Sequence, residues 1–303
     1  MSERVGPAAA IDREELMERP APVSRGIVAR LLADRVFIAG ALIVCAVAAA
    51  ALFAPLLTVW DPVAVDIGRE HPRPPGGAHI LGTDDLGRDV FARILYGARL
   101  SLAIGVSARL LSTAIGLSLG LVAGFFRGAV ETIVMRVTDL LLAFPSLLLL
   151  IAVAAAFGGS LAAVFLTIGL AGWGGTARLV RSQVLVVREE EYVIAARAAG
   201  VPDARVVLRH ILPNCLGPVI ASFTLGVASA ILAEASLSFL GLGAQEPAPS
   251  WGNMAQLGTL RLLSAPWLAL APATAIAIVV LGWNLLGDAL QNALAPDLAR
   301  TSA

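Results

Sequence analysis

The chain contains no lysine: all 22 of its basic residues are arginine. A phosphate-binding loop of the form GxxxxGK[ST] and a Schiff-base amine both need that side chain, so neither ATP hydrolysis by that route nor imine chemistry belongs to this polypeptide. Cysteine is scarce, with Cys45 and Cys215 far apart and in or beside apolar runs, which argues against a disulfide framework or a metal knuckle. Charge is scarce too, at 15% of residues against about 25% in soluble domains. The formal net charge is zero, which leaves no basic field for nucleic acid and no acidic tail. No Ser-His-Asp set, HExxH or carboxylate pair on a shared face is present, so no catalytic residue and no membrane-embedded hydrolysis is expected.

What the chain has is apolar length. It is 58% hydrophobic with a mean hydropathy of +0.83, which excludes an ordinary soluble globule. Residues 1–35 mix six Arg with six acids and show no sustained apolar face, reading as a leader. Residues 36–59 are nearly all apolar, and at about 1.5 Å per residue they cover about 36 Å, enough for a hydrocarbon core of about 30 Å. A cleaved signal peptide is the competing reading, but 35 residues is long for its n-region. Further runs at about 100–126, 137–157, 161–177, 216–235 and 267–287 bring the expectation to six transmembrane helices in an all-α integral membrane protein. Pro145 should kink the third of these or mark local unwinding, and Gly158–Gly159–Ser160 should join the third to the fourth. Gly116, Gly120 and Gly124, four residues apart, allow a neighbouring helix to approach closely.

Between the spans lie two kinds of polar segment. Residues 60–99 form an expected outer loop, rich in Pro and Gly at first and ending in an amphipathic helix that places Asp85, Arg88 and Asp89 near Phe91, Ile94 and Leu95. Residues 236–266 form a second outer segment. The segments 1–35, 127–136, 178–213 and 288–303 hold 15 Arg and the two outer segments hold six, so the positive-inside rule places both termini and 178–213 in the cytoplasm. Trp60 and Trp267 then mark the outer boundary, with Trp173 and Trp283 towards the inner one.

The stretch 188–213, REEEYVIAARAAGVPDARVVLRHILP, is the most polar long run between spans. The periodicity predicts a helix from Arg178 to Ala199, a left-handed turn at Gly200, a second short helix with Asp203 as N-cap, and an end at Pro213. Ala195, Ala196, Ala198 and Ala199 give a small-residue face suited to a groove on another protein, although a solvated hairpin fits the periodicity as well.

AARAAG followed by LRHILPN resembles the cytoplasmic coupling loop of ABC-importer permeases in the dipeptide, oligopeptide and nickel group. HILGTDDLGRDVFARILYGARLSL, MRVTDLLLAFPSLLL, EASLSFLGLG and NLLGDALQNALAPDL resemble that group's C-type subunit in the same order. The resemblance implies a type I ABC importer permease that moves peptides or similar small solutes across the cytoplasmic (inner) membrane by alternating access. It also implies the partners: cytoplasmic ABC ATPase subunits that hold ATP and Mg, a second permease subunit of B type, and an extracytoplasmic solute-binding protein. This chain would itself carry no cofactor and no metal. Carried over by position, the coupling residues are Glu191, Tyr192, Ala195, Ala196, Arg197, Gly200, His210 and Pro213. Ile194 and His210 depart from the generic loop and fit the peptide group.

Arg109 stands about nine residues inside the second span, where an ionised side chain is by default functional. It is a candidate for the translocation pathway, suited to a carboxylate-bearing solute, against a packing role at helix dipoles or a partner; the resembling family is usually apolar there. Asp139 and Glu234 are expected at span ends with access to water. His71 and His79 match no metal spacing. A nickel or other small-solute importer is the alternative within the family. Outside it, a secondary transporter would require mid-span acids or an internal repeat, and neither is found.

Overall fold

A computed structural model describes residues 27–66, 71–158 and 160–294. Most of the expected 1–35 leader, part of the expected 288–303 tail and Gly159 lie outside the described residues. The described residues are mostly helical, with two isolated bridges, Gly76 to His79 and Thr83 to Asp89, as their extended pairings. Five helices are long and apolar enough to cross a membrane, or six if one sharply bent pair is a single span.

In chain order, α1 (Ile27–Ala33) leads into α2 (Arg35–Leu52), whose first turn is capped by Asp34 accepting from the Val36 amide at 2.8 Å. After the short α3 (Ala54–Leu57) and a long loop comes α4 (Val90–Phe126), a single helix of 37 residues. The sequence reading had divided this stretch into an interfacial amphipathic helix and a span from residue 100. They are continuous because the charges near the helix start are not solvated. Arg88 and Arg93 are 5% and 1% exposed, paired with acids from other segments, and Asp89 caps the helix by accepting from the Ala92 amide at 2.7 Å.

The expected third span is two helices, α5 (Gly128–Ala143) and α6 (Ser146–Phe157), meeting at 97°. Pro145 explains the break, since it forces Phe144 into an extended conformation (φ −82°, ψ 139°) and lacks the amide that would continue the ladder. The fourth span is longer than expected. It comprises α7 (Leu161–Ala171) and α8 (Trp173–Val187), so residues 178–187 of the expected cytoplasmic segment extend a span, the helix expected over 178–199 is broken at 188–190, and Trp173 is a buried interior residue rather than a boundary anchor.

The polar stretch continues as α9 (Glu191–Ala198) and α10 (Asp203–Val206), then a π-helical turn at Val207–Ile211, then α11 (Leu212–Phe239). Pro213 therefore does not end a helix. It sits in the first turn of α11, where its missing amide costs little, and the widened turn before it accommodates the ring. Asp203 is not the cap either: Pro202 is, with no side-chain bond. The chain closes through α12 (Trp251–Thr259) and α13 (Trp267–Leu294), and Pro218 and Pro272 sit inside α11 and α13 without ending them.

Helix α4 is the central element. It packs along α8 on one side and α11 on the other, while α13 lies between α11 and α2. The α4–α8 contact is made by absent side chains: a Cβ at Gly116 would stand 2.7 Å from the Trp173 carbonyl, and one at Gly120 2.7 Å from that of Ala177. At Gly124 it would stand 2.7 Å from Val184 Cβ. Where lipid supplies no hydrophobic drive, such close approach gives helices dispersion contact.

Replacing Gly120 by alanine should overpack this seam and lower stability by about 1–3 kcal/mol. The readout is the thermal unfolding midpoint of the detergent-solubilised protein. Gly175→Ala on the same α8, where a Cβ meets nothing within 4 Å, is the control and should leave the midpoint unchanged or higher.

Candidate functional site

At the Arg-rich end of the bundle, α9 is attached by one buried residue. Val193 is fully buried and joins Phe125, Val184, Val206, Ile211 and Cys215 in a single apolar cluster. Its helical neighbours Glu191, Tyr192, Ile194, Ala195 and Arg197 are exposed, and Ala196 is half-buried. The first turn carries Glu191, favourable at a helix N-terminus, and the last carries Arg197, favourable at the other end.

The C-terminus of α9 is a Schellman motif. The Val201 amide donates to the Ala196 carbonyl at 3.1 Å and the Gly200 amide to that of Arg197 at 3.0 Å, with Gly200 in the left-handed region at φ 78°. A Cβ at Gly200 would touch nothing within 4 Å, so glycine is required by backbone conformation and the surface around it is open.

The structure brings Tyr192 and His210 together, with ring centroids 6.3 Å apart. Asn214 joins them, its side-chain amide donating to the His210 carbonyl at 2.7 Å and to the Tyr192 hydroxyl at 3.2 Å. Asn214 closes the LRHILPN motif, and its membership of that motif is the one sign of its role that the sequence carries. Burial, with Glu190 nearby, moves the Tyr192 hydroxyl above the ordinary tyrosine range. Arg197 lies 4.0 Å from Asp203 and 5.3 Å over the Phe125 ring. Pro213 is exposed.

Two further residues fix the seat of α9. Arg188 donates through Nη1 to the carbonyls of Gly124 and Phe125 at 3.2 and 3.1 Å, so it caps the C-terminus of α4. Burial, and then the neighbouring Arg127, lower its pKa from the ordinary arginine value. Arg127, at φ 51°, turns the chain from α4 into α5 and pairs with Glu189 at 3.1 Å. Arg178 pairs with Asp139 at 2.6 Å and Arg181 with Glu131, tying α5 to α8. Nothing in this region is arranged as nucleophile and base. What it presents is a small-residue surface on a short, firmly seated helix.

Arg109 is not part of that surface. It projects from α4 towards α8 and α11, where Nη2 donates to Thr176 Oγ1 at 3.3 Å and to the Ser222 carbonyl and hydroxyl at 2.8 and 3.1 Å. It lines a cavity of about 530 Å³ between α4, the α5–α6 break, α7 and α11.

At the opposite end, Arg88 and Arg93 converge on Asp84 and Glu246, with Arg88 Nε 2.7 Å from Asp84 and Arg93 Nη2 3.0 Å from Glu246. Burial alone would lower the Arg88 pKa, but its bonds to Glu246 and Asp84 outweigh that and raise it. His71 is within 3.1 Å of the Thr83 hydroxyl and His79 within 2.9 Å of Asp89. No group of three or more metal-capable side chains is present among the described residues. Asp139 is exposed, as expected of a span end. Glu234 is not: it is fully buried, accepting from Ser101 at 2.7 Å and Ser238 at 2.8 Å, because two serines supply the solvation that water was expected to give.

Residues 116–300 match the family model described as "Binding-protein-dependent transport system inner membrane component". The chain is similar to the dipeptide transport system permease protein DppC of Alkalihalophilus pseudofirmus, with 43% identity across 89% of this chain and 88% of that one. It is 37% identical to the oligopeptide transport system permease protein OppC of Bacillus subtilis across 97% of both. To the glutathione transport system permease protein GsiD of Pectobacterium atrosepticum it is 41% identical, over 89% of each. Its fold resembles a chain of the MetNI methionine ABC transporter in an inward-facing conformation, at TM-score 0.53 and 20% identity, covering 67% of this chain and 96% of that one.

Val193→Asp should place an unpaired carboxylate in the apolar seat at a cost of several kcal/mol and release α9. Limited trypsin digestion should then cut after Arg197 faster than in the wild type, with cleavage after Arg261 at the opposite end unaltered. An unchanged digestion pattern would mean that Val193 does not hold the helix.

Proposed function

Because the chain belongs to the family of binding-protein-dependent transport system inner membrane components, we propose that it forms half of a peptide pathway and is driven through α9. The protein is a multi-pass inner-membrane permease subunit of an ABC importer, working with an ATPase and a solute-binding protein. The relatives named for dipeptide, oligopeptide and glutathione transport support peptides as the solute class.

The observation that carries the coupling role is the form of α9: one buried anchor, Val193, beneath an open face of Ala195, Ala196 and Gly200. A helix held from below by one residue, and bounded by a left-handed turn, offers small side chains to a groove and transmits force back to α4 and α8. Glu191, Arg197 and His210 frame that face, and Tyr192 with Asn214 braces it against the start of α11.

ATP and Mg belong to the ATPase, since this chain has no lysine for a phosphate-binding loop. The second half of the pathway is a different, B-type permease chain. Both termini and α9 face the cytoplasm, following the arginine distribution. ATP-driven closure of the ATPase pair draws the two coupling helices together, and the attached spans turn to switch access from the binding protein to the cytoplasm. The ATPase shifts that equilibrium only through its differential contact with this surface.

Gly200→Glu and Ala196→Glu test the docking. Each should cut peptide uptake by reconstituted complexes more than about tenfold, the effect of losing an interface hot spot worth about 2 kcal/mol. Basal ATP hydrolysis by the assembled complex should persist. Uptake at the wild-type rate from both variants would remove α9 from the mechanism.

A further inference from the structure

Resting on the peptide-import reading, we infer that the cavity lined by Arg109 is a carboxylate subsite of the pathway, in which the Arg109 guanidinium and the Ser112 hydroxyl receive the acidic terminus of the passing solute. All the hydrogen bonds of Arg109 fall on Nη2. Its Nε is buried without a hydrogen-bond partner, and so is the hydroxyl of Ser112, three residues on along the same helix and lining the same cavity. Two donors are thus withdrawn from water and left unsatisfied by the protein on one face of α4. Such groups are costly unless something else bonds to them.

The charge is also uncompensated. No described residue forms an ion pair with Arg109, and the lining of the cavity contains no acid. At the opposite end of the same helix the buried Arg93, by contrast, has both Asp84 and Glu246 as counter-charges. Gly226 of α11 makes room for the guanidinium, since a Cβ there would overlap Nε and Cζ. The rest of the lining is largely apolar, with Leu141, Leu142, Phe144, Leu149 and Ile168 among it. A largely apolar wall with one cation and the hydroxyls of Ser112, Ser146 and Ser229, around about 530 Å³, suits a small amphipathic solute with a carboxylate at one end. A guanidinium matches a carboxylate bidentately, whereas it repels a bare metal cation.

The test uses the complete complex, with its ATPase and binding protein, in proteoliposomes. Uptake of trialanine is compared with that of trialanine amide for the wild type, Arg109→Met and Arg109→Lys. The binding protein's own preference cancels when variants are compared on the same solute. Arg109→Met should lower uptake of the free acid by about tenfold or more and that of the amide by about threefold at most, as expected for losing a charge-assisted hydrogen bond. Arg109→Lys, which keeps the charge and loses the fork, should fall between. An equal loss on both solutes, or no loss on either, overturns the subsite.

A wild-type complex that hydrolyses ATP yet takes up neither peptide would instead overturn the peptide reading. The subsite is then decided by thermal shift of the purified complex with propionate against propionamide. Stabilisation by propionate alone, lost in Arg109→Met and reduced in Ser112→Ala, supports it, and any other pattern overturns it.

Discussion

The contact of α4 with α8 across three glycines fixes where everything at the Arg-rich end lies. Helices in lipid gain nothing from excluding water from one another, so the pair is held by dispersion between backbones brought close at Gly116, Gly120 and Gly124. Helix α8 then runs past the C-terminus of α4, and Arg188 turns back to bond the carbonyls of Gly124 and Phe125. The glycine seam and the arginine cap act on the same two helices from within and from the end. Because α9 follows directly and buries Val193 in the cluster formed by Phe125 and Val184, it rests on both helices at once. A force on α9 therefore reaches two spans through packed side chains, without passing through a long loop.

Proline shows how far local sequence reaches. Pro145 breaks a helix at 97°, Pro213 opens one after a π-helical turn, and Pro218 and Pro272 lie within helices that continue. The ring and the missing amide are the same in every case. The outcome depends on where in a helix the ring falls and on whether the carbonyls it leaves without a donor are otherwise satisfied. Apolar length is local, so all six expected spans correspond to helices or a helix pair, and the turn at Gly200 was legible because left-handed geometry belongs to glycine. The ends of those helices were less legible. α4 begins ten residues before the expected span because Arg93 pairs with Glu246, a partner 153 positions along the chain that no local periodicity can reveal. Glu234 was misplaced in water for the same reason, its solvation coming from Ser101 on another helix.

The candidate site divides similarly. The eight positions carried over from the coupling-loop resemblance fall on α9, its turn, the π-helical turn and the first turn of α11, with Ala196 and His210 half-buried and the others exposed, but their supports, Val193, Arg188 and Asn214, came only with the fold. Exposed motif residues can be recognised by type and order. Those that orient them are defined by contacts between segments.

Ionised side chains are placed by different rules at the two ends and in the middle. At the loop end opposite α9, Arg88 and Arg93 are buried in a balanced set with Asp84 and Glu246, which ties the 60–89 loop to the segment before α12 and the start of α4. Removing either acid would take a partner from a buried arginine, so this end resists deformation. At the Arg-rich end the pairs between α5 and α8 are partly exposed and individually weak, and they can exchange partners with solvent at little cost. Between them Arg109 has neither arrangement, being half-buried against α8 and α11 with no acid in ion-pair distance among the described residues. Buried ion pairs at one end and exposed ones at the other make the Arg-rich end the one whose side chains rearrange at the lower cost, with an unbalanced cation on the wall between them.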